Sequence, residues 1–292
     1  MDVRGEGGSA FRRHARVPAG VLIAACLLFG GPAAPKGSPF AGLGTGVRTT
    51  HVVANRVMTW NLCNPCGRGD VGRAAEIAAY APQVVGVQEA CVRDVEGIRD
   101  HLERLFGLTY EVEYGTVLRS WGRCGGPPWS PGGYGEAILS AAPMTDVDAR
   151  EYPDGGSEDR GYLAVTTTVD GRSVRVVNTH LAERRQEAVR AHQVDVLAAV
   201  LSRYDRFVVL GDFNAVPWAP ELAPLWALAE DADPGCGPSP AEACRPTTDW
   251  GSTFDYVFLR GVAASGRSVR PSDRSDHHLV YADLDTEPSA ER

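Results

Sequence analysis

This 292-residue chain predicts an α/β fold, and three observations carry the prediction. Short apolar runs rich in Val recur along it, and most stop at a polar residue of a chemically useful type. Val52 to Trp60 runs into Asn61, Val84 to Val87 into Gln88 and Glu89, and Phe207 to Leu210 into Gly211 and Asp212. Val174 to Val177 runs into Asn178, Thr179 and His180, while Phe254 to Leu259 carries Asp255 within it. Runs of this length and composition read as buried strands. Helical stretches separate several of them, and Asp170-Gly171 between two β-rich runs marks a hairpin.

Taken in order, the chain opens with Arg12, Arg13 and Arg16 ahead of an apolar stretch, Val17 to Phe29, and then Gly30-Gly31-Pro32-Ala33-Ala34. Charged, apolar, then small is the pattern of a signal peptide, so residues 1–34 are set aside from the fold and secretion is expected. The apolar run is short for a membrane span. Ile23-Ala24-Ala25 before Cys26 makes lipoprotein processing a rival, which Leu27-Leu28-Phe29 after the cysteine fits poorly, and an uncleaved anchor is a third reading. Residues 35–50 read as a linker and 51–285 as one domain, a mature length of about 255 residues being ordinary for a single α/β unit. Within it, helices are expected over Gly72 to Tyr80, Val92 to Leu105 and Glu183 to Ser202. The last has an apolar stripe at 189, 196, 197, 200 and 201 that Gln193 interrupts. Trp121 to Gly135 and Pro234 to Pro246, rich in Gly and Pro, read as long loops, and 286–292 as a disordered tail.

Charge limits the substrate. The formal net charge is -8; setting aside the first 34 residues leaves 25 basic against 35 acidic side chains, a net of -10. That balance opposes a non-specific grip on a polyanion, but a bound metal reverses the local field, so a nuclease is not excluded. Lys36 is the only lysine, and Arg119 and Arg123 at the long loop, with Arg184 and Arg185 after His180, are the candidate phosphate contacts.

Beyond Cys26 six cysteines remain: Cys63, Cys66, Cys91, Cys124, Cys236 and Cys244. An even number in a secreted chain predicts three disulfides. Cys236 with Cys244 is the clearest local pair, and the others, near the strand ends bearing Asn61 and Glu89, are expected to stake loops. Cys63-Asn64-Pro65-Cys66 has redox-like spacing, but no second Cys/His pair at zinc-like spacing accompanies it.

The residue types at the strand ends define a chemistry. Glu89, with the amide of Asn61, offers hard oxygens, which magnesium, manganese and calcium prefer over zinc. Asp212 and Asn214 are two apart and face one side, so one can take a proton from water while the other donates to a phosphoryl oxygen. His180 and His277 are candidate proton carriers, and Asp255 is the carboxylate expected to hold the second nitrogen of His277. For Tyr134 and Trp129, beside a glycine-rich loop, packing is the expectation.

Asn61, Gln88-Glu89, Gly135-Glu136-Ala137-Ile138-Leu139-Ser140, Asn178-Thr179-His180-Leu181, Gly211-Asp212-Phe213-Asn214, Phe254-Asp255-Tyr256-Val257-Phe258 and Ser275-Asp276-His277 together resemble, in order, the endonuclease/exonuclease/phosphatase superfamily. The resemblance covers roughly residues 51 to 285 and implies a four-layer α/β sandwich, with two mixed β-sheets face to face and helices outside. It implies magnesium, or manganese or calcium in its place, and cleavage of a phosphoester, nucleic acid among the candidates, without a covalent intermediate. Glu89 then corresponds to the main metal ligand, with Asn61 beside it and Asp276 close by; Asp212 activates water and Asn214 positions phosphate. His277, backed by Asp255, stabilises or protonates the transition state, and His180 matches the deoxyribonuclease I and sphingomyelinase branches. The pattern is broken at two places: Glu136 stands where asparagine is usual, and His278-Leu279 replaces a variable residue and proline. The expectation is a monomeric secreted phosphodiesterase or nuclease. The alternatives are a sphingomyelinase-type or inositol phosphoesterase, which would need an aromatic loop to enter a bilayer, and a non-catalytic binding protein of the same fold.

Overall fold

The computed structural model describes residues 51–285 except 68, 155, 184, 242 and 243. The expected signal peptide, linker and tail, and the candidate Arg184, lie outside the described residues. Twelve strands run in chain order as β1 (Val53–Asn61), β2 (Pro82–Cys91), β3 (Glu111–Arg119), β4 (Gly133–Ser140), β5 (Thr145–Glu151), β6 (Gly161–Val169), β7 (Arg172–His180), β8 (Phe207–Asp212), β9 (Glu230–Asp231), β10 (Asp255–Arg260), β11 (Ala263–Arg270) and β12 (Leu279–Asp285). The helices are α1 (Asp70–Tyr80), α2 (Val92–Phe106), α3 (Trp121–Cys124), α4 (Glu187–Leu201) and α5 (Ala223–Trp226).

The strands form two six-stranded sheets, β11-β12-β1-β2-β4-β3 and β5-β6-β7-β8-β10-β9. Each is mixed: β1 and β2 are parallel, as are β7 and β8, while the other pairs are antiparallel. Successive strand residues point to opposite faces, so the Val-rich runs feed two cores at once. Val57, Val84, Val176, Val208 and Val257 pack between the sheets with Ile138 and Leu163. Met58 and Val85 face outward onto Ile77, Val95, Ile98 and Leu102 of α1 and α2. On the other sheet Val177, Val209 and Phe258 meet Val194, Leu197 and Leu201 of α4. Helix, sheet, sheet, helix is the expected four-layer order.

Four strands absent from the sequence reading share a physical reason: they lie at the sheet edges. β3 and β11 close one sheet, and β5 and β9 the other. β5, Thr-Asp-Val-Asp-Ala-Arg-Glu, is exposed along nearly its whole length. Charged edges resist pairing with further chains but carry no apolar run to read. The expected hairpin is present: Val169 pairs with Arg172, leaving Asp170 (φ 48°) and Gly171 (φ 75°) as a two-residue turn in the left-handed conformation that matches strand twist.

Two expectations are corrected in extent. Helix α4 starts at Glu187 rather than Glu183, because Arg190 turns back to donate to Ala182 O (3.0 Å) and Glu183 O (2.6 Å) and holds that segment off the helix axis. Gln193, which broke the apolar stripe, is fully buried and satisfied: it accepts from Ala182 N (2.8 Å) and donates to Asp154 O (2.8 Å). The supposed loop from 121 to 135 contains α3 and the start of β4.

Cys63 pairs with Cys66, Cys91 with Cys124, and Cys236 with Cys244. The second bridge pins α3 against the end of β2, and the third closes the proline-rich loop. Protein purified from an oxidising compartment should therefore weigh about six hydrogens less than after reduction, by intact mass. Six alkylatable thiols in the unreduced protein would refute the pairing.

Candidate active site

Register assembles the polar strand ends. His180 of β7 lies beside Asp212 of β8, and Asp212 lies opposite Asp255 of β10. In the facing sheet Asn61 of β1 lies beside Gln88 of β2. Gln88 spans the two sheets, its amide donating to Thr59 Oγ1 (2.9 Å) and to Asn178 Oδ1 (2.6 Å). Asn178 answers by donating to Val87 O (2.9 Å) and Ala137 O (3.0 Å). Gly86 is required beneath this link, since a Cβ there would come within 2.8 Å of Asn178 Oδ1.

The backbone is held in an uncommon state where the chemistry sits. Cys63 (φ 47°), Glu89 (φ 51°) and Asn214 (φ 51°) are left-handed without being glycine, a conformation that neighbouring structure must impose. At Glu89 the β2–β4 register slips between Val87 and Ala90, and a bulge of this kind re-aims a side chain out of the ladder.

Asp212 is the hub and is fully buried. Its Oδ2 accepts from Asn61 Nδ2 (2.9 Å) and lies 3.4 Å from His180 Nε2 and 3.6 Å from His277 Nε2, while its Oδ1 accepts from Asn214 N (2.8 Å). The Asn214 side chain donates to Leu181 O (3.1 Å) and meets His180 Nε2 at 3.0 Å. His277 Nδ1 sits 2.9 Å and 3.1 Å from the two Asp255 oxygens. The segment that bears it is anchored by Ser275 Oγ donating to Asn61 O (2.7 Å) and by Trp60 Nε1 donating to His277 O (3.2 Å).

Charge follows from burial and these neighbours. Burial opposes the imidazolium of His277, but Asp255 and Asp212 outweigh it and push its pKa up to about 10. Burial, then Arg160 and His277, hold His180 well below its ordinary value, so it is neutral. Burial raises Asp212 to about 6 against the pull of His277. At neutral pH the centre therefore holds a cationic His277, a neutral His180 and an ionised Asp212 poised to accept a proton.

The remaining predicted residues are placed less uniformly. Glu89, half-buried, accepts from Asn61 Nδ2 at 3.3 Å. Asn61 was expected to offer an oxygen to a metal; instead its Oδ1 accepts from Cys63 N (2.9 Å), and it turns its NH2 to both carboxylates. Asp276 has its carboxylate within 4.8 Å of the Cys63 and Cys66 sulfurs, on the Asn61 corner. Asp212, Asp255 and His277 group together within that same distance, whereas Glu89 joins no cluster of three among the described residues. Arg119 ends β3 exposed, and no described bond or ion pair of the centre reaches it. Arg123 is occupied by Glu158 and by the Tyr134 ring (4.7 Å). Arg185, exposed, lines a cavity of about 510 Å³ together with Asn214. Tyr134 packs, as expected, on Cys91 and Cys124, but Trp129 is 86% exposed. His278, at the variable position, donates from its backbone N to Thr247 O (2.7 Å), and Leu279, where proline is usual, is buried at the start of β12.

Two contributors escaped the sequence reading. Thr247 Oγ1 donates to Asp255 Oδ2 (2.6 Å) and accepts from Asp255 N (3.1 Å), fixing the carboxylate that holds His277. Arg160, buried before β6, pairs with Glu158 and bears electrostatically on His180, Glu89 and Glu136. A threonine eight residues ahead of Asp255 and an arginine outside every motif gave no signal of their own.

The sequence model of the Endonuclease/Exonuclease/phosphatase family matches residues 58–277. No curated protein matches the chain in sequence. Among solved structures, D. rerio TDP2 complexed with single strand DNA product is 20% identical, with a TM-score of 0.62 over 79% of this chain and 98% of that one. The human Nocturnin catalytic domain with bound sulfate is 21% identical, with a TM-score of 0.62 over 79% and 93%. An endonuclease/exonuclease/phosphatase from Beutenbergia cavernae is 24% identical, with a TM-score of 0.57 over 78% and 70%. At these identities the likeness is one of fold.

Proposed function

The chain belongs to the Endonuclease/Exonuclease/phosphatase family and is a phosphoric ester hydrolase, and from that premise we propose that it is a secreted, monomeric, divalent-metal-dependent phosphodiesterase of the nuclease class. The observation that carries this is the buried Asp212 between Asn61, His180 and His277, facing Glu89 across the sheets.

The donors fit a hard ion. Glu89 and Asp276 are oxygen donors, and the nearest soft donors, Cys63 and Cys66, are consumed in a disulfide. Glu89 would hold the ion, with Asp276 adding charge from the Asn61 corner. Bound there, magnesium or manganese supplies Lewis-acid polarisation of a phosphoryl oxygen. Asp212 takes the proton from the attacking water, its raised pKa matching neutral operation. Asn61 keeps Asp212 aimed through its amide and Asn214 through its backbone N, and each side chain would turn one amide hydrogen from its present partner, Glu89 or His180, to a phosphoryl oxygen. His277, cationic and oriented by Asp255, stabilises the charge that develops on the phosphoryl group and its leaving oxygen. Neutral His180 holds the Asn214 amide in place.

These ionisations predict the pH profile. Asp212 must be ionised and His277 protonated, so kcat should be level between about 6 and about 10. Below that window it should fall as Asp212 takes a proton. A profile that keeps rising from pH 6 down to 4 would contradict Asp212 as base.

The substrate class is tested by assaying purified protein on single-stranded and duplex DNA, RNA, sphingomyelin and inositol phosphates with magnesium and with manganese. The nuclease reading expects the polynucleotides to be cleaved best. Turnover of sphingomyelin alone would replace it, and exposed Trp121 and Trp129 on the loop stapled by Cys91–Cys124 are what favour that second reading.

A further inference from the structure

Between the sheets, beside the centre just described, two charged side chains are enclosed without being satisfied. Glu136, in β4, is 3% exposed, and its Oε2 is buried with no hydrogen-bond partner. Arg160 is 8% exposed, and its Nε is likewise buried and unpartnered. The other end of the guanidinium is engaged: Glu158 takes Arg160 Nη1, and it also takes Arg123 and the Tyr134 hydroxyl (3.2 Å). No described ion pair joins Glu136 to Arg160, although Arg160 is the strongest opposite charge acting on it. An orphaned acid and an orphaned guanidinium NH, each costly to bury alone, are what a missing acceptor would leave behind.

Their position ties this gap to the chemistry. Glu136 pairs with Gly115 of β3 on one side, and on the other its strand runs along the β2 bulge that carries Glu89. A Cβ on Gly115 would crowd Leu163 Cβ at 3.0 Å and come into ordinary contact with Glu136 Oε2 at 3.5 Å, which places the carboxyl at the close approach of the two sheets. Arg160 immediately precedes Gly161, the cross-strand partner of His180, and its charge reaches His180 and Glu89 as well as Glu136.

Resting on the phosphoester-hydrolase reading above, we infer that Glu136 and Arg160 together seat one non-bridging phosphoryl oxygen, and that the Glu136 carboxyl makes this seat select the singly charged phosphodiester over the doubly charged monoester. Burial lifts Glu136 to about 8 against the pull of Arg160, so at neutral pH the carboxyl keeps its proton and is a donor. Two donors then converge on an oxygen that carries partial charge. A monoester, whose second ionisation lies near about 6, brings a further charge that would meet Glu89, Asp212 and the Glu136 dipole in a space with a single guanidinium. The ionisable groups facing Glu136 are Arg160 and Glu158 ahead of β6 and Tyr152 after β5, and of these only Arg160 is cationic. When Glu136 ionises, the seat turns from donor to acceptor and diester affinity falls.

The test compares bis(4-nitrophenyl) phosphate with 4-nitrophenyl phosphate at saturating magnesium, for wild type, Glu136→Gln and Glu136→Ala, with kcat and KM resolved from pH 6.5 to 9.5. Wild type should prefer the diester, with KM for it rising above pH 8. Glu136→Gln, a neutral donor of the same shape, should keep the preference and abolish that rise. Glu136→Ala should raise KM for the diester by about tenfold while thermal unfolding confirms a folded protein. Diester-to-monoester ratios and pH-dependence of KM that are unchanged in both variants would overturn the inference while leaving the hydrolase reading intact. If wild type hydrolysed neither ester under these conditions, the hydrolase reading itself would fall and this inference with it.

Discussion

Replacing His277 by alanine should lower kcat by roughly 10²- to 10⁴-fold, the span typical of a general acid-base group, with folding retained. The imidazole is cationic because Asp255 holds Nδ1 at 2.9 Å, and Thr247 in turn fixes Asp255. Asp255→Asn should therefore lose much of the same rate without touching the reacting phosphate. It should also lower the His277 pKa, since the carboxylate is what outweighs burial, and so draw the alkaline limb of the rate profile down from about 10. The double variant should cost far less than the product of the two losses, because both remove one unit. Independent, multiplying losses, or a His277→Ala rate near wild type at saturating metal, would make this histidine structural.

Glu89→Ala should be nearly as damaging, by about 10³-fold in kcat/KM, since a bound Lewis acid contributes several kcal/mol and each 1.36 kcal/mol is a tenfold change. The side chain is half-buried and bonded only weakly, to Asn61 at 3.3 Å, so thermal stability should change little. The distinguishing readout is metal affinity: manganese binding followed by electron paramagnetic resonance should weaken strongly. Wild-type manganese affinity in Glu89→Ala would move the ion elsewhere.

What was legible in the sequence was whatever recurs with short period. The central strands announced themselves because Val57/Met58, Val84/Val85 and Val208/Val209 must fill a core on each face. The charged edges β3 and β5 did not, because nothing buried forces their pattern. At the centre, residues that end strands, Asn61, Glu89, His180 and Asp212, were readable as chemistry interrupting an apolar run. Arg160 and Thr247 were not, since their significance lies in which strands the register sets side by side. The Asn61 rotamer is the same lesson at atomic scale: Cys63 N takes its oxygen, and only coordinates show that.

The central claim is that Asp212 accepts the proton of a water that attacks phosphorus directly, with a divalent ion held at Glu89. Hydrolysis of a single-stranded oligonucleotide in ¹⁸O-water tests it most directly, run with magnesium, after chelation, and with Asp212→Asn. One ¹⁸O should appear in the product phosphate, only when magnesium is present, and Asp212→Asn should slow its appearance by roughly 10²- to 10⁴-fold. Full turnover after exhaustive chelation, or an Asp212→Asn rate equal to wild type, would contradict the account.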